Sequence, residues 1–117
     1  MDHLKTVIYY NPKCSKCRMT LKLLHEHDLQ PEVKEYLRET PTRSELKDIL
    51  TLLGIAAGQL LREKEPAYRE AGLKKSSSEE EILDAMIKYP ILIERPVVVH
   101  DGKAVIGRPP ENILKIL

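Results

Sequence analysis

Tyr9-Tyr10-Asn11-Pro12-Lys13-Cys14-Ser15-Lys16-Cys17-Arg18 is the stretch in which an apolar run of extended character breaks and a helical pattern begins. Asn-Pro ends the extended segment, because proline offers no N–H to a sheet and holds the preceding residue out of the helical region. Both cysteines of the chain lie here. A cysteine on the first turn of a helix faces unpaired backbone N–H groups and the positive end of the helix dipole, and both favour its thiolate.

Upstream, Thr6–Tyr10 is short, β-branched and aromatic, which predicts a buried strand. Downstream, Cys17, Leu21 and Leu24 fall on one stripe at i, i+4 and i+7, with Lys16, Lys22 and Glu26 elsewhere, so a helix is expected from Ser15 to about His27. Glu32–Leu37 follows Pro31 and alternates apolar with charged residues, as a half-exposed second strand does. The first third thus reads β-α-β, a unit whose two strands run parallel with a right-handed crossover.

The middle is helical. Thr42-Arg43-Ser44-Glu45 is a capping box, and Leu46, Ile49, Leu50 and Leu53 mark the inner face of a helix that stops before Gly54. Leu60-Leu61-Arg62 and, after the Glu65-Pro66 break, Ala67–Ala71 with Gly72 as its cap predict two short helices. Ser77 and Glu80 form a second capping box ahead of Ile82, Leu83, Met86 and Ile87. Pro96–His100, Asp101-Gly102 and Lys103–Ile106 spell a hairpin with a two-residue turn. Pro109-Pro110 then starts a closing helix with Ile113, Leu114 and Leu117 inward.

Composition narrows the function. The chain has 117 residues, 42% of them hydrophobic, enough for one domain with its own core. Lys and Arg total 19 against 18 for Asp and Glu, so no global field draws nucleic acid or an anionic membrane, and any anion site must be local. No apolar run approaches the roughly 20 residues of a membrane span. Two cysteines without a leader-like start read as cytoplasmic thiols. Cys-x-x-Cys is half of many zinc sites, yet His25 and His27 lie about 12 Å or more along the same helix from Cys17; no metal is expected.

The order β-α-β, a helical insert at about 42–90, then β-β-α is that of a thioredoxin-like fold, here a single α/β domain over 1–117 with a mixed four-stranded sheet. With Asn11-Pro-Lys-Cys-Ser-Lys-Cys-Arg18, Leu60-Leu-Arg-Glu-Lys-Glu65, Glu94-Arg-Pro-Val97 and Gly107-Arg-Pro-Pro-Glu111, the sequence resembles the ArsC family of glutaredoxin-linked arsenate reductases, and within it the short bacterial branch. The resemblance covers essentially the whole chain. It implies a cytoplasmic enzyme with no bound cofactor that reduces arsenate or a related oxyanion, with glutathione as co-substrate and glutaredoxin or thioredoxin as electron donor. It makes Cys14 the nucleophile, gives anion-binding roles to Arg62, Arg95 and Arg108, and puts a cis peptide between Arg95 and Pro96, facing the cysteine.

Arginine suits such a cradle because its planar fork pairs two oxygens at once and keeps its charge. Cys17 fits two descriptions equally: a resolving thiol at Cys-x-x-Cys spacing, or a small core thiol on the stripe of Leu21 and Leu24. Family members commonly have serine or threonine at that position. They also have histidine before Asn11, where this chain has Tyr10, a phenol that donates a hydrogen bond but is no cation near neutral pH. Ionisation of Cys14 is then left to the helix start, Lys16, Arg18 and the incoming arginines. The other class of function is a redox-sensing regulator similar to Spx, which binds RNA polymerase and would use Cys14 and Cys17 as a dithiol switch. Spx-like chains lack the arginine of the Gly-Arg-Pro-Pro-Glu motif, and Arg108 favours the enzyme.

Overall fold

A computed structural model describes residues 6–117 of the chain. The described residues fall into two compact units, one made of the chain up to Glu39 together with Arg95–Leu117, the other of Thr40–Glu94.

The first unit holds four strands, β1 (Thr6–Tyr10), β2 (Glu32–Glu35), β3 (Val97–His100) and β4 (Lys103–Ile106), in one mixed sheet of order β2-β1-β3-β4. β1 runs parallel to β2, with Ile8 opposite Val33, and antiparallel to β3, with Ile8 opposite Val98. Helix α1 (Ser15–Glu26) supplies the crossover between the parallel pair. Ile8, Leu24, Val98, Ile113 and Ile116 form the core between sheet, α1 and the C-terminal segment, with Tyr10, Leu21 and Val105 packed against it. Fold class and sheet are therefore as the element order predicts. Asp101 and Gly102 both take positive φ, 48° and 75°, the pair of left-handed residues that a two-residue turn needs to match strand twist.

The second unit is helical, with α2 (Arg43–Leu53), α3 (Pro66–Glu70) and α4 (Glu79–Lys88). The α2 capping box is complete, Glu45 N–H donating to Thr42 Oγ1 at 3.1 Å and Thr42 N–H to Glu45 Oε1 at 3.0 Å. Gly54 ends the helix with φ 69°. Leu46, Ile49 and Leu50 of α2 and Ile82, Leu83, Ala85 and Met86 of α4 are buried. Among the described residues no helix is long and apolar enough to cross a membrane.

Five local expectations need correction. β2 stops at Glu35: Val33 and Leu37 are exposed, and Tyr36, in the turn that follows, is the buried residue. Leu60–Arg62 is not helical; a 3₁₀ turn spans Ala57–Gln59, and Leu61 pairs with Ile93 in an isolated antiparallel bridge. The α4 cap is Ser78 with Glu81, not Ser77 with Glu80, because Ser77 Oγ already accepts the Lys74 N–H at 2.9 Å and closes the preceding turn. Pro96 precedes β3 rather than opening it. The closing segment Pro110–Lys115 is 3₁₀, so its inner face follows a period of three, Pro110, Ile113 and Ile116, and leaves Leu114 and Leu117 exposed.

The peptides before Pro96 and before Pro109 are cis. Between these prolines the chain is drawn tight at Gly107, whose N–H donates to Pro96 O at 2.8 Å. A methyl group built on Gly107 would lie 2.8 Å from Thr20 Oγ1 and 2.9 Å from Pro96 Cγ. Thr20 is fully buried on α1, so its side chain has little room to yield. Gly107→Ala is expected to lower unfolding free energy in urea by about 1–3 kcal/mol through overpacking. The Gly107→Ala/Thr20→Ala double variant should lose less than the two single losses added; strict additivity would refute the contact as the cause.

Candidate active site

Cys14 stands at the N-cap of α1 in extended conformation, its N–H donating to Asn11 O at 2.9 Å and its carbonyl accepting the first helical bond from Arg18 N–H at 3.1 Å. The loop that delivers it is built by Asn11. Buried Asn11 accepts the Lys13 N–H on Oδ1 at 3.0 Å, closing a tight Asx turn over Pro12. Arg18 braces the same loop by donating from Nη1 to Pro12 O at 2.8 Å.

Unlike α2 and α4, α1 has no side-chain oxygen at its cap and no acidic residue in its first turn. Its opening N–H groups are instead set towards sulfur. Burial pushes the Cys14 thiol up, but the Cys17 N–H, the Cys17 thiol, the Arg95 guanidinium and the Lys16 N–H together hold its pKa below the ordinary value. Cys17, fully buried, is pushed the other way, up to about 12: burial is the largest cause, the Asn11 N–H opposes it, and the hydrogen bond and charge of Cys14 add to it. The two thiols are thus pushed apart, the outer one the more acidic, with the inner S–H donating to the outer sulfur. Burial, with Cys17 next, also raises the Tyr10 pKa, so Tyr10 is a neutral phenol against the core.

The structure brings Cys14, Cys17, Asn11, Tyr10, Arg18 and Arg95 together within the first unit. Pro96 is buried beside Arg95 with the cis peptide that the resemblance implies. Arg95 and Arg108 stand at the two open ends of the β3–β4 hairpin; Arg108 is exposed, and its carbonyl accepts from Asn112 Nδ2 at 3.1 Å. Arg62 belongs to the second unit, where its guanidinium donates to Glu65 and Glu94.

Several participants were not foreseen. Asn112, which also donates to Ile106 O at 3.2 Å, steadies the Arg108 loop, and nothing in its sequence context marks it. Arg62-x-x-Glu65 is an i, i+3 pair that spacing could have suggested, whereas Glu94 is 32 residues from Arg62 and only the fold joins them.

A family model described as the ArsC family matches residues 9–116. A protein of Escherichia coli (strain K12) described as "Uncharacterized protein YfgD" is 50% identical over 112 residues, covering 94% of both chains. An "Arsenate reductase" of Neisseria meningitidis serogroup A is 44% identical, over 94% of this chain and 96% of its own. Among solved structures, "Arsenate reductase from Vibrio cholerae" superposes with a TM-score of 0.93 at 44% identity, over 97% of this chain and 98% of that one.

Iodoacetamide at neutral pH is expected to alkylate Cys14 and spare Cys17 until the chain is unfolded. The rate should titrate below the usual thiol value of about 8.5; an apparent pKa at or above it would refute the activated thiolate. Cys17→Ala should move that pKa upward, since an S–H donor is lost. Because folding keeps Cys17 protonated, the unfolded chain releases this proton first as pH rises. Stability should therefore fall from the ordinary thiol range up towards pH 12, and Cys17→Ala should flatten that limb of a denaturation series.

Proposed function

The chain belongs to the ArsC family, and from that premise we propose that it is a thiol-dependent arsenate reductase whose nucleophile is Cys14. The observation that carries this reading is the Cys14 sulfur itself: set at a helix start, hydrogen-bonded by Arg95 and by the Cys17 thiol, and held below the ordinary thiol pKa. A thiolate with an arginine beside it suits an oxyanion that must be both attracted and attacked.

The chemistry proceeds in two steps. The Cys14 thiolate attacks arsenic and one arsenate oxygen leaves as water, forming a sulfur–arsenic(V) bond. A second thiol then attacks the Cys14 sulfur. The sulfur–arsenic bond breaks with its electron pair going to arsenic, arsenite departs as As(III), and Cys14 is left in a disulfide. Glutathione is the second thiol in this reading, and glutaredoxin or thioredoxin returns Cys14 to its reduced state. Cys17 is the internal candidate for the same attack, but a fully buried thiol pushed up to about 12 is a poor nucleophile and a good hydrogen-bond donor.

Arg95, Arg108 and Arg62 each take an anion-binding role in this reading, with Asn11, Arg18, Tyr10 and Pro96 supporting the loop and the thiol. The reaction draws on cellular thiols, which fits the cytoplasm, and needs no resident cofactor.

A coupled assay with arsenate, NADPH and either glutathione with glutaredoxin or thioredoxin should show turnover. Cys14→Ser should abolish it, and Arg95→Ala should lower kcat/KM by about 10²–10³, the scale of losing a donor that meets developing charge. Arg95→Lys should recover little, because an ammonium cannot reproduce the fork. Silence with both donors, alongside a reversible Cys14–Cys17 disulfide, would instead favour the Spx-like switch.

A further inference from the structure

Arg62 carries contacts that the proposed reduction leaves without a role. Its Nε and Nη2 donate to Glu65 Oε2 at 3.2 and 3.0 Å, and its Nη1 donates to Glu94 Oε1 at 3.0 Å. The three side chains are only 20%, 23% and 25% exposed. The backbone holds this arrangement in place. Arg62 N–H donates to Leu92 O at 2.7 Å and Glu94 N–H to Leu60 O at 2.8 Å, so Arg62 and Glu94 flank the Leu61–Ile93 bridge, one from each of its two segments. Glu65 is the residue that caps α3, and its N–H returns to Arg62 O at 3.3 Å.

Two carboxylates thus share the one guanidinium. The Nε/Nη2 edge is the edge with which arginine pairs carboxylates and phosphate-like oxyanions, and Glu65 already sits on it. An incoming anion therefore meets both a taken edge and two like charges.

Resting on the reading that Arg62 binds the oxyanion, we propose that Glu65 and Glu94 are affinity-determining residues, whose carboxylates occupy the Arg62 guanidinium in the oxyanion's place. Binding at Arg62 is then an exchange of anionic partners, and the oxyanion gains only the difference between them. The exchange also acts on the way out. The arsenite formed is largely the neutral acid near neutral pH and has no charge with which to hold Arg62, so the carboxylates reclaim it as product leaves.

The test is isothermal titration of sodium arsenate into Cys14→Ser protein, in which no sulfur–arsenic bond can form and only non-covalent binding is read. Glu65→Gln and Glu94→Gln keep side-chain shape and remove charge. Each is expected to tighten arsenate on the order of three- to tenfold, the scale of one partly screened ion pair. The gain should vanish when Arg62→Gln is added to either. Two independent positions are used so that one misfolded variant does not end the test, with circular dichroism confirming each fold. Unchanged or weaker binding in both glutamine variants, while arsenate still binds, would overturn the exchange and leave the arsenate reading standing. No arsenate binding in any of the proteins, the Cys14→Ser parent included, would overturn the arsenate reading and the exchange with it.

Discussion

Helix α1 opens with N–H groups that no side-chain oxygen satisfies, and what faces them is sulfur. The contrast with α2 and α4 shows what this costs and allows. Those helices close their first turns with reciprocal boxes, Thr42 with Glu45 and Ser78 with Glu81, each worth about 1 kcal/mol of helix stability. At Cys14 that stabilisation is forgone as long as the thiol is neutral, and it returns when the thiol ionises. Local folding energy and thiol acidity are therefore the same quantity seen from two sides. Tyr10 serves the core, and the helix start with Arg95 serves the charge.

The same logic runs through the groups around it. The Cys14 sulfur rests against donors of its own chain, namely the Cys17 S–H, the Arg95 guanidinium and two backbone N–H groups. Arg62 rests against acceptors of its own chain, Glu65 and Glu94. Neither the Arg62 charge nor a negative charge on Cys14 is left bare in a partly dehydrated place, where it would be expensive. Chemistry at such groups begins with the replacement of an internal partner by an external one, so affinities reflect differences between partners rather than sums of contacts.

What could be read from the sequence was whatever rests on neighbouring residues. Asn11-Pro12 before a helical stripe, Thr42 three residues ahead of Glu45, and Asp101-Gly102 between apolar runs each carry their own physics, and the strand, cap and turn they imply are all present. Where two choices had nearly equal local merit, the sequence could not choose. Three serines followed by three glutamates allow two capping registers, and a hydrogen bond from Lys74 to Ser77 decides between them. Ile113, Leu114, Ile116 and Leu117 suit either a period of 3.6 or of 3, and tertiary packing selects the tighter winding. For Cys17, spacing alone left a redox thiol and a core thiol equally open; the fold buries it to zero exposure and hydrogen-bonds it to Cys14, and neither fact has a signature in the spacing. The Glu94 partner of Arg62 depended on the fold and had no local signature.

The β3–β4 hairpin is a caliper. Val97 pairs with Ile106, the Gly107 N–H to Pro96 O bond adds one rung, and Arg95 and Arg108 follow on the two arms just past it. Strand partners in such a ladder sit about 5 Å apart at Cα, so the separation of the two arginine backbones is set by strand register and not by either arginine's own surroundings. Register is in turn counted from Asp101-Gly102 at the closed end. One residue added to that exposed turn would slide every rung by a step and swap the face on which each side chain of one arm stands. The turn thus sets how the two arginine-bearing arms are aligned, although it lies at the opposite end of the hairpin from both.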